Sequence, residues 1–342
     1  MPKKNFCVIV PAFNEEKVIE DSLNSLKKVL LPDRIFVVSD GSTDKTVRLA
    51  KKTGVNVMGL RKNTGKAGAI LKLLKSRKLT SRFKYILFSD ADGRLSPDFK
   101  KQIRETMKIK PALLVATVKS DRHGLISAFR TYEYGLSHLI YKNAQNAARV
   151  IAIAPGCASL YRSDVLEKLN FKNGTLSEDF DLTLQIHQQK LGRIIYVPKA
   201  SVYTQDPITL KDFWKQVLRW NTGFWQNFFL HRLFLPTKKI NLEIILLAGD
   251  AFFAIGVLAY FLHSPFYFFK LFAASIAVMF AFVTAILVIL RQFWAILYAP
   301  FFPFLYMINL VAYVSGFVRA IIGQKRTLAW GKVARYQASP QK

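Results

Sequence analysis

Lys84–Gly93 has the sequence KYILFSDADG, and this stretch decides how the rest of the chain is interpreted. Its apolar part, Tyr85–Phe88, has the length and the aromatic and branched content of a buried strand. Two carboxylates, Asp90 and Asp92, follow at the end of that strand. Ligands of open α/β sheets bind outside the carboxyl ends of strands, so the D-x-D pair predicts a site there. A hard divalent cation that also binds diphosphate oxygens would account for both acids, whereas the alternative is a plain acidic turn.

The residues before this stretch alternate between short apolar runs and segments with helical spacing. The apolar runs predict strands at Phe6–Val10, Arg34–Ser39 and Val55–Leu60. The segments between them predict helices at Glu16–Leu31 and Asp44–Thr53, and a third that opens at the turn Asn63–Gly68. This β-α-β-α alternation predicts an α/β fold with a doubly wound sheet of parallel strands.

Three polar segments follow the predicted strands, namely Pro11–Glu15, Asp40–Asp44 and Asp90–Asp92. Because the carboxyl ends of parallel strands share one edge of a sheet, we expect these segments to meet there and to form a nucleotide site. Asp40 can accept a hydrogen bond from a base or a ribose. Lys66 stands on a glycine-flanked turn before a helix, where it can meet a phosphate. Taken alone, each segment also has a simpler interpretation as a turn and helix cap.

Four motifs together carry a resemblance to a known family: P-A-F-N-E, D-G-S-T-D, N-T-G-K-A-G and S-D-A-D-G, in this order. They resemble the nucleotide-diphosphosugar domain of inverting, family-2 type glycosyltransferases. The resemblance implies a GT-A type fold, in which the doubly wound sheet is mixed. It also implies that Asp40 binds the base, commonly uracil, and that Asp90 and Asp92 meet the diphosphate and its Mg²⁺ or Mn²⁺. The nucleotide-sugar site implied in this way comprises Pro11, Ala12, Asn14, Glu15, Asp40, Lys66, Asp90, Ala91 and Arg219.

A second acidic segment, Ser177–Asp181, has the sequence SEDFD and precedes an apolar helix predicted at Leu182–Gln189. Acids are favoured at a helix N-terminus, so these residues could serve the helix alone. The segment also resembles the family's T-E-D motif, with Ser in place of Thr. By that match Glu178 and Asp179 are catalytic, and Asp179 is the general base that takes the proton of an acceptor hydroxyl. A single attack on one face of the anomeric carbon would invert its configuration.

The middle of the chain has features that suit an acceptor. Apolar residues from Leu125 to Ile140 recur at helical spacing, which predicts an amphipathic helix on a membrane surface or, equally, a helix packed on the core. The small side chains of Pro155–Arg162 would let a sugar approach the backbone, and Gly156 is the residue we expect to bind it. Gln205–Pro207 stands where many family members carry Glu-x-Pro, and this departure leaves the local acceptor contacts open.

The predicted helix Leu210–Leu230 carries the sequence Q-V-L-R-W, in which Gln216, Arg219 and Trp220 share one surface. This fits the family's Q-x-x-R-W motif, found in synthases of cellulose, chitin, hyaluronan and poly-N-acetylglucosamine and in ceramide glucosyltransferases. The match implies that Trp220 and Gln216 bind the acceptor and that Arg219 faces the diphosphate. A basic, aromatic helix at a membrane interface is the alternative interpretation.

The composition points to a membrane. The chain has 50 Lys and Arg against 22 Asp and Glu, a net charge of +28, which suits an anionic partner. Three apolar segments, Leu242–Leu262, Phe266–Leu290 and Phe293–Ile322, are each long enough to cross a bilayer, so we expect an anionic membrane face rather than nucleic acid. The two cysteines suggest no disulfide framework or zinc site, and we expect no signal peptide, so the catalytic part should face the cytoplasm.

We therefore expect four successive segments in a multi-pass protein of the cell membrane: 1–124 binds the nucleotide sugar, 125–240 binds the acceptor, 241–323 forms about three transmembrane helices, and 324–342 is a basic tail. Three crossings would put this tail opposite the catalytic domain, whereas its positive charge favours the same side. The sequence leaves that conflict open.

The function predicted in this way is metal-dependent, inverting transfer of a sugar from a nucleotide sugar, expected to be a UDP-sugar. The acceptor is the hydroxyl of a growing polysaccharide or of a membrane glycolipid. About three transmembrane helices would form only a thin channel for a polymer unless the chain forms an oligomer. A polyprenyl-phosphate sugar synthase is the enzymatic alternative, although that family generally lacks Q-x-x-R-W. A degenerate membrane protein for binding or transport is the non-enzymatic alternative.

Overall fold

The computed structural model describes residues 3–171, 174–235, 238–323 and 335–336, with only part of the side chains within 250–276. The strands are β1 (Lys4–Ala12), β2 (Ile35–Ser39), β3 (Asn56–Gly59), β4 (Phe83–Phe88), β5 (Arg94–Leu95), β6 (Leu113–Ser120), β7 (Ser159–Arg162) and β8 (Ile194–Thr204). They form one mixed sheet in the order β3-β2-β1-β4-β7-β6-β8-β5. The predicted doubly wound α/β fold with a mixed sheet is therefore confirmed.

Strand β1 lies between β2 and β4, and all three run parallel, with Val10 beside Val37 and Val8 beside Leu87. The antiparallel strand β7 joins this half of the sheet to β6, and β6 pairs in parallel with β8. The carboxyl ends of β1, β2 and β4 consequently share one edge, as expected from their polar ends.

Helices cover the sheet and continue beyond it. Up to residue 188 they are α1 (Ile19–Lys27), α2 (Thr46–Lys52), α3 (Gly65–Ser76), α4 (Leu79–Arg82), α5 (Phe99–Lys108), α6 (Gly124–Leu136), α7 (Lys142–Ala148), α8 (Ser163–Leu166) and α9 (Glu178–Gln188). The later helices are α10 (Leu210–Leu230), α11 (Lys239–His263), α12 (Pro265–Ile289) and α13 (Phe302–Ile322). Two 3₁₀ segments, Pro32–Arg34 and Phe293–Phe301, and a π-helical turn, Ser137–Tyr141, connect them.

Two compact units result, and their boundaries differ from the four successive segments that the sequence suggests. The first contains Met1–Asp121 and Lys142–Gln205, together with the described tail residues Arg335 and Tyr336. The second contains Arg122–Tyr141 and Asp206–Lys325. β7 and β8 complete the sheet begun by the first strands, so residues 142–205 belong to the same unit as residues 1–121. Binding of the acceptor by 125–240 stays a prediction.

The first unit buries the apolar faces of its central strands. Phe83 and Phe88 of β4 lie in the core, where Phe83 meets Phe36 edge to face at 5.9 Å and Phe88 meets Tyr161 at 4.9 Å. Such aromatic pairs stabilise a core by about 1 kcal/mol beyond the burial of their area. This rigid core fixes the loops at the strand ends.

The second unit has its own aromatic core. Phe129 of α6 contacts Phe213 of α10 at 6.0 Å and Phe302 of α13 at 5.2 Å, measured between ring centroids. The predicted break in the third apolar segment is present: Pro300 lies in the 3₁₀ segment and α13 begins at Phe302. α13 also approaches α10 closely, because a Cβ added at Gly316 would lie 2.8 Å from the backbone of Asn221.

One stretch in the described part of the chain, the 30 residues Phe293–Ile322, has the length and apolar composition needed to cross a bilayer. Ala277–Ile289 is apolar but shorter. The first two predicted membrane segments coincide with α11 and α12, whose side chains lie partly outside the described residues. The predicted multi-pass arrangement therefore stays a prediction at this point.

Candidate active site

The loops after β1 and β2 are hydrogen-bonded to each other, so the polar ends of these two strands meet as predicted. The backbone N–H of Asn14 donates to Ser42 Oγ at 3.0 Å, and Asn14 Oδ1 accepts from the Thr43 N–H at 2.8 Å. Asn14 has a positive φ of 54°, a conformation that Asn tolerates better than most residues. Pro11 and Ala12 are the buried end of β1, where they line the edge with backbone rather than with polar side chains.

Asp40, which directly follows β2, is fully buried, and one of its carboxylate oxygens has no hydrogen-bond partner among the described residues. Its Oδ1 accepts from the N–H of Thr64 at 2.8 Å and from Thr64 Oγ1 at 3.0 Å. Its Oδ2 is buried and has no hydrogen-bond partner among the described residues. A buried, unpaired carboxylate oxygen is costly unless a ligand satisfies it. Asp40 thus anchors the turn before α3 and offers one acceptor to a ligand, such as the N–H of a base.

Asp92 is held in one orientation by three donors. Thr204 Oγ1 at 2.8 Å, the N–H of Gln205 at 2.7 Å and Arg335 Nη1 at 3.0 Å all donate to its Oδ2. Its Oδ1 is buried and has no hydrogen-bond partner in the part of the chain that the structure describes. Ala91, beside it, is almost fully buried. The three donors thus hold Oδ2, and Oδ1 of the same carboxylate stays available to a ligand.

Lys66 connects the D-x-D pair to the second acidic segment. Its Nζ lies 2.8 Å from Asp90 Oδ1 and 3.3 Å from Glu178 Oε1. Burial by itself lowers the pKa of the Lys66 ammonium, but the surrounding carboxylates, led by Asp90 and Glu178, outweigh burial and raise that pKa. The ammonium is consequently charged, and it brings together two motifs that lie 88 residues apart in the sequence.

Asp179, at the start of α9, is half-buried and held by backbone donors. Its Oδ2 accepts from the N–H of Gly156 at 2.8 Å and its Oδ1 from the N–H of Phe180 at 2.9 Å. Burial, followed by the charge of Glu178, raises the pKa of Asp179, whereas the positive charge of Lys66 opposes the rise. A carboxylate with a raised pKa is a better proton acceptor, which suits a general base.

Gly156 lies where a side chain would disturb both of these groups. A Cβ at this position would lie 3.0 Å from Lys66 Nζ and 3.3 Å from Asp179 Oδ2. The small-residue loop predicted for an acceptor is therefore also needed for the contact between its own backbone and Asp179.

The C-terminal tail supplies a cation to the site, although the sequence indicates only that the tail is basic and not where it binds. Arg335 Nε lies 3.3 Å from Glu15 Oε2, in addition to the contact of its Nη1 with Asp92. Gln205 holds the next residue in place: its Nε2 donates to the Tyr336 carbonyl at 2.7 Å, and its Oε1 accepts from the Tyr336 N–H at 3.3 Å. The departure noted at Gln205 is thus a tail contact. The basic composition of the tail was the available signal.

The carboxylates fit a divalent cation that shares its shell with a ligand. No group of three His, Cys, Asp or Glu side chains among the described residues could hold a metal ion alone. Mg²⁺ is commonly bound by one or two carboxylates, with phosphate oxygens completing its shell. The unpaired Oδ1 of Asp92 offers such an oxygen, and Asp90 lies two residues away. The residues present therefore fit Mg²⁺ or Mn²⁺ bound together with a diphosphate.

The Q-x-x-R-W residues belong to the second unit, on α10. Gln216, Arg219 and Trp220 are each half-buried, and Gln216 accepts a hydrogen bond from Arg130 at 2.9 Å. Arg219 forms no hydrogen bond or ion pair with the residues that the structure describes. Their predicted meeting with a nucleotide sugar and an acceptor stays a prediction.

Comparison with known proteins finds similar sequences and a similar fold. The sequence model described as Glycosyl transferase family 2 matches residues 7–170, which include most of β1, all of β2 to β7, and the Asp40, Lys66 and D-x-D positions. The uncharacterized glycosyltransferase YaiP of Escherichia coli is 28% identical over 249 residues, which cover 69% of this chain and 61% of YaiP. Human dolichyl-phosphate beta-glucosyltransferase is 36% identical over 127 residues, which cover 32% of this chain and 38% of that enzyme.

Among solved structures, the mannosyltransferase PcManGT from Pyrobaculum calidifontis, in complex with GDP-Man and Mn²⁺, is similar with a TM-score of 0.61. The likeness covers 95% of this chain and 89% of PcManGT at 16% sequence identity, so it concerns the fold. This chain spans less than two thirds of the length of each of the two sequence relatives.

Proposed function

We propose, from the match of residues 7–170 to the Glycosyl transferase family 2 model, that this chain is a membrane-bound, metal-dependent glycosyltransferase that inverts the configuration of the transferred sugar. The donor is a nucleotide sugar, expected to be a UDP-sugar. The acceptor is a hydroxyl group of a membrane glycolipid or of a growing polysaccharide.

One observation carries this proposal: Lys66 joins Asp90 of the D-x-D pair to Glu178 of the second acidic segment. The donor-side carboxylates and the candidate base therefore belong to one cluster inside the first unit. A helix-terminus role for the second segment would require no contact with the D-x-D turn. The cluster supports a site in which donor and base act on the same sugar.

The donor would be held by the loops at the strand ends. Asp40 Oδ2, which is buried without a partner in the described residues, accepts from an N–H of the base. Asp90 and Asp92 would hold a divalent cation, which would stabilise the negative charge that develops on the departing diphosphate. The positive charges of Lys66 and Arg335 lie beside Asp90 and Asp92, respectively, and favour the same anionic leaving group.

The acceptor step follows from the state of Asp179. Its carboxylate removes the proton from the acceptor hydroxyl while the hydroxyl oxygen forms a bond to the anomeric carbon. The bond between that carbon and the diphosphate oxygen breaks on the opposite face, and its electron pair leaves with the nucleoside diphosphate. The sugar is inverted once, and Asp179 then releases the proton to water. The backbone N–H groups of Gly156 and Phe180 keep the carboxylate oriented throughout.

Transfer to a polyprenyl phosphate is a second candidate. Its support is the similarity to human dolichyl-phosphate beta-glucosyltransferase, the relative with the higher identity of the two named above. A phosphate acceptor is already an anion and needs no strong base, so Asp179 would contribute little to its rate. The effect of replacing Asp179 therefore distinguishes the two acceptor classes.

Glycine at 156 gives the first prediction. We expect Gly156→Ala to lower kcat/KM on the order of tenfold to a hundredfold, because a Cβ there displaces Lys66 Nζ and Asp179 Oδ2 from their contacts. Steady-state rates and thermal unfolding should be measured together. Gly59→Ala is the matched control, since a Cβ at Gly59 meets nothing within 4 Å. Equal rates for the two variants would contradict the tight packing inferred at residue 156.

Membrane binding of the second unit is supported by its exposed apolar side chains. Leu246 is 64% exposed, Val278 72% and Leu297 80%, which is unusual for a surface in contact with water. The 25-residue helices α11 and α12 would each span roughly 37 Å, enough for the hydrocarbon core. Lysates washed at alkaline pH should retain the protein in the membrane fraction.

The tail contact bears on the proposed number of crossings. Gln205 and Tyr336 are hydrogen-bonded to each other, which supports an even number of bilayer crossings in the chain between them. We propose that α11 and α12, joined at Ser264, form the crossing hairpin. Phe293–Ile322, which packs on α6 and α10, then lies along the interface rather than across it. This proposal replaces the predicted three crossings and puts the basic tail on the catalytic side.

Cysteine labelling tests this topology, because the native Cys7 and Cys157 are both buried. We expect Ser264→Cys to react with a membrane-impermeant maleimide from the side opposite the catalytic domain, and Ile322→Cys from the catalytic side. Leu31→Cys, at a position 62% exposed in the first unit, marks the catalytic side. Labelling of Ser264→Cys and Ile322→Cys from the same face would contradict the hairpin.

The tail cation gives a prediction about metal binding. We expect Arg335→Gln to bind Mn²⁺, in the absence of a nucleotide, about tenfold more tightly than the parent protein. The substitution removes the positive charge that lies beside Asp92, the carboxylate that Mn²⁺ would bind. Thr204 and Gln205 still orient Asp92 in this variant. Titration with Mn²⁺ by electron paramagnetic resonance measures the affinity, and Arg104→Gln on exposed α5 surface is the control. Weaker Mn²⁺ binding in Arg335→Gln would instead make the tail part of the metal site.

The direct test of the proposed function uses purified full-length protein, membrane lipid and a panel of radiolabelled UDP- and GDP-sugars with Mg²⁺ or Mn²⁺. A small product that extracts into organic solvent indicates a glycolipid, and stability to mild acid separates a hydroxyl-linked sugar from an acid-labile, phosphate-linked sugar. A large aqueous product indicates a polysaccharide. No product from any donor, with nucleotide still bound, would favour the non-enzymatic alternative.

A further inference from the structure

The second unit contains a buried guanidinium that contacts two of the three Q-x-x-R-W residues. Arg130, on α6, is 3% exposed. Its Nη2 donates to Gln216 Oε1 at 2.9 Å, and its guanidinium lies over the ring of Trp220, 4.6 Å from the centroid. A second aromatic ring, that of Phe213, lies 4.8 Å from the same group. The guanidinium is thus enclosed between rings on α10.

This charge is neutralised within the protein. Arg130 Nη1 donates to Glu133 Oε2 at 2.6 Å, and Glu133 Oε1 accepts from Asn309 Nδ2 at 2.8 Å. Burial alone lowers the pKa of Arg130, but the surrounding acidic groups, led by Glu133, outweigh burial and raise that pKa. A buried charge is tolerated when it is paired and hydrogen-bonded, so this cation is fixed in place.

The two arginines next to the motif are used differently. Arg130 is committed to protein side chains, whereas Arg219, one residue before Trp220, has no ion pair or hydrogen bond within the described part of the chain. Arg219 is therefore available to an anion, and Arg130 is not. The guanidinium also covers one face of the Trp220 indole.

We propose that Arg130 is a positioning residue: it fixes the side chains of Gln216 and Trp220 so that the acceptor surface of α10 is already formed before the acceptor binds. This inference rests on the proposed function, in which Gln216 and Trp220 bind the acceptor. Ordering a glutamine and an indole in advance removes part of the entropy cost of binding. The planar fork of arginine suits the task, because it can donate in its plane to Gln216 and Glu133 while its face lies on the ring.

Lysine cannot reproduce this geometry, although it keeps the charge. An ammonium can pair with Glu133, but it has no flat face and no second in-plane donor aimed at Gln216. We therefore expect Arg130→Lys to raise the acceptor KM about tenfold while the donor KM stays within about twofold. Arg122→Lys is the matched control, since Arg122 lies over Trp294 at 6.0 Å in the same unit but does not contact the motif.

A measurement without substrate separates this proposal from the proposed function. Acrylamide quenching of Trp220, taken as the difference between the parent and its Trp220→Phe derivative, should increase about twofold in Arg130→Lys and not in Arg122→Lys. In a double-mutant cycle, Arg130→Lys should add little to the acceptor KM of Trp220→Phe, because both changes disrupt one arrangement. This cycle distinguishes positioning from a general loss of stability.

The Trp220 quenching signal and the two KM values of Arg130→Lys test whether Arg130 is a positioning residue. An unchanged Trp220 signal in Arg130→Lys would overturn the proposal even if the protein transfers sugar, and so would an equal rise in both KM values. If no sugar is transferred by the parent protein, increased quenching still supports the positioning of Trp220, and only the proposed function fails. If Arg130→Lys does not fold, Glu133→Gln replaces it: weaker anchoring of Arg130 should shift the same signal in the same direction, and no shift would overturn the proposal.

Discussion

Replacing Asp179 by asparagine should lower kcat for a hydroxyl acceptor about 10³-fold, while donor binding changes less than about twofold. The amide cannot take a proton, yet it has nearly the same shape, and its oxygen can still accept from the N–H of Gly156 or of Phe180. Single-turnover rates with labelled donor and equilibrium binding of the nucleoside diphosphate measure the two quantities separately. A variant that transfers sugar at the parent rate would exclude Asp179 as the base and favour a phosphate acceptor.

Asp181→Asn is the control for this prediction, because Asp181 also lies in the first turn of α9. If the acids only stabilise the helix N-terminus, both variants should lose thermal stability to a similar extent and neither should lose the chemical step. If Asp179 is the base, the rate is lost only in Asp179→Asn.

The pH profile provides a second check on Asp179. A base works when it is deprotonated, so the transfer rate should fall as the pH drops through the raised pKa of Asp179. Glu178→Gln removes a charge that raises this pKa, and the acidic limb of the profile should move to lower pH. Lys66→Met removes the charge that lowers it, and the limb should move to higher pH.

Replacing Asp92 by asparagine should reduce the affinity for Mn²⁺ at least about a hundredfold and reduce kcat/KM by a similar factor. Three donors, from Thr204, Gln205 and Arg335, hold the Oδ2 end of this side chain. The asparagine oxygen will take that end, so its NH₂ group points to where Asp92 offers the unpaired Oδ1. A donor group there cannot bind a cation. Metal titration, with and without the nucleoside diphosphate, measures the loss.

Asp98→Asn is the matched control, because Asp98 is exposed and only six residues further along the chain. It should bind Mn²⁺ like the parent protein. Full activity of the parent in the presence of a strong chelator would contradict the metal requirement, whatever the behaviour of Asp92→Asn.

The strands and their polar ends could be predicted because the signals are local. β4 was predicted at its observed place from its run of buried aromatic and branched residues, and the ends of β1 and β2 were predicted to share its edge. These predictions rest on the alternation of strands and helices and on the direction of parallel strands. Neither depends on contacts between distant side chains.

The partners of the site residues could not be predicted in the same way. The role of Lys66 toward a phosphate stays a prediction, and its ion pairs with Asp90 and Glu178 could not be inferred from its motif. Gln216 and Trp220 were expected to face an acceptor, and both contact Arg130. In each case the partner lies 24 or more residues away and comes close only after helices have packed. A motif specifies the type of residue at a position, but it does not specify which distant side chain that residue will contact.

The sequence by itself determined the α/β fold, the order of the strand-end loops and the acidic and basic residue types available for catalysis, because periodicity and strand direction are properties of neighbouring residues. The tertiary structure alone decided that Lys66 joins the two acidic motifs, and that the tail returns to Asp92 through Arg335. It also decided that Gln205 and Tyr336, which lie 131 residues apart, are hydrogen-bonded to each other. These facts depend on where the chain goes between residues that lie far apart, and such paths are set by the packing of whole elements rather than by any local pattern.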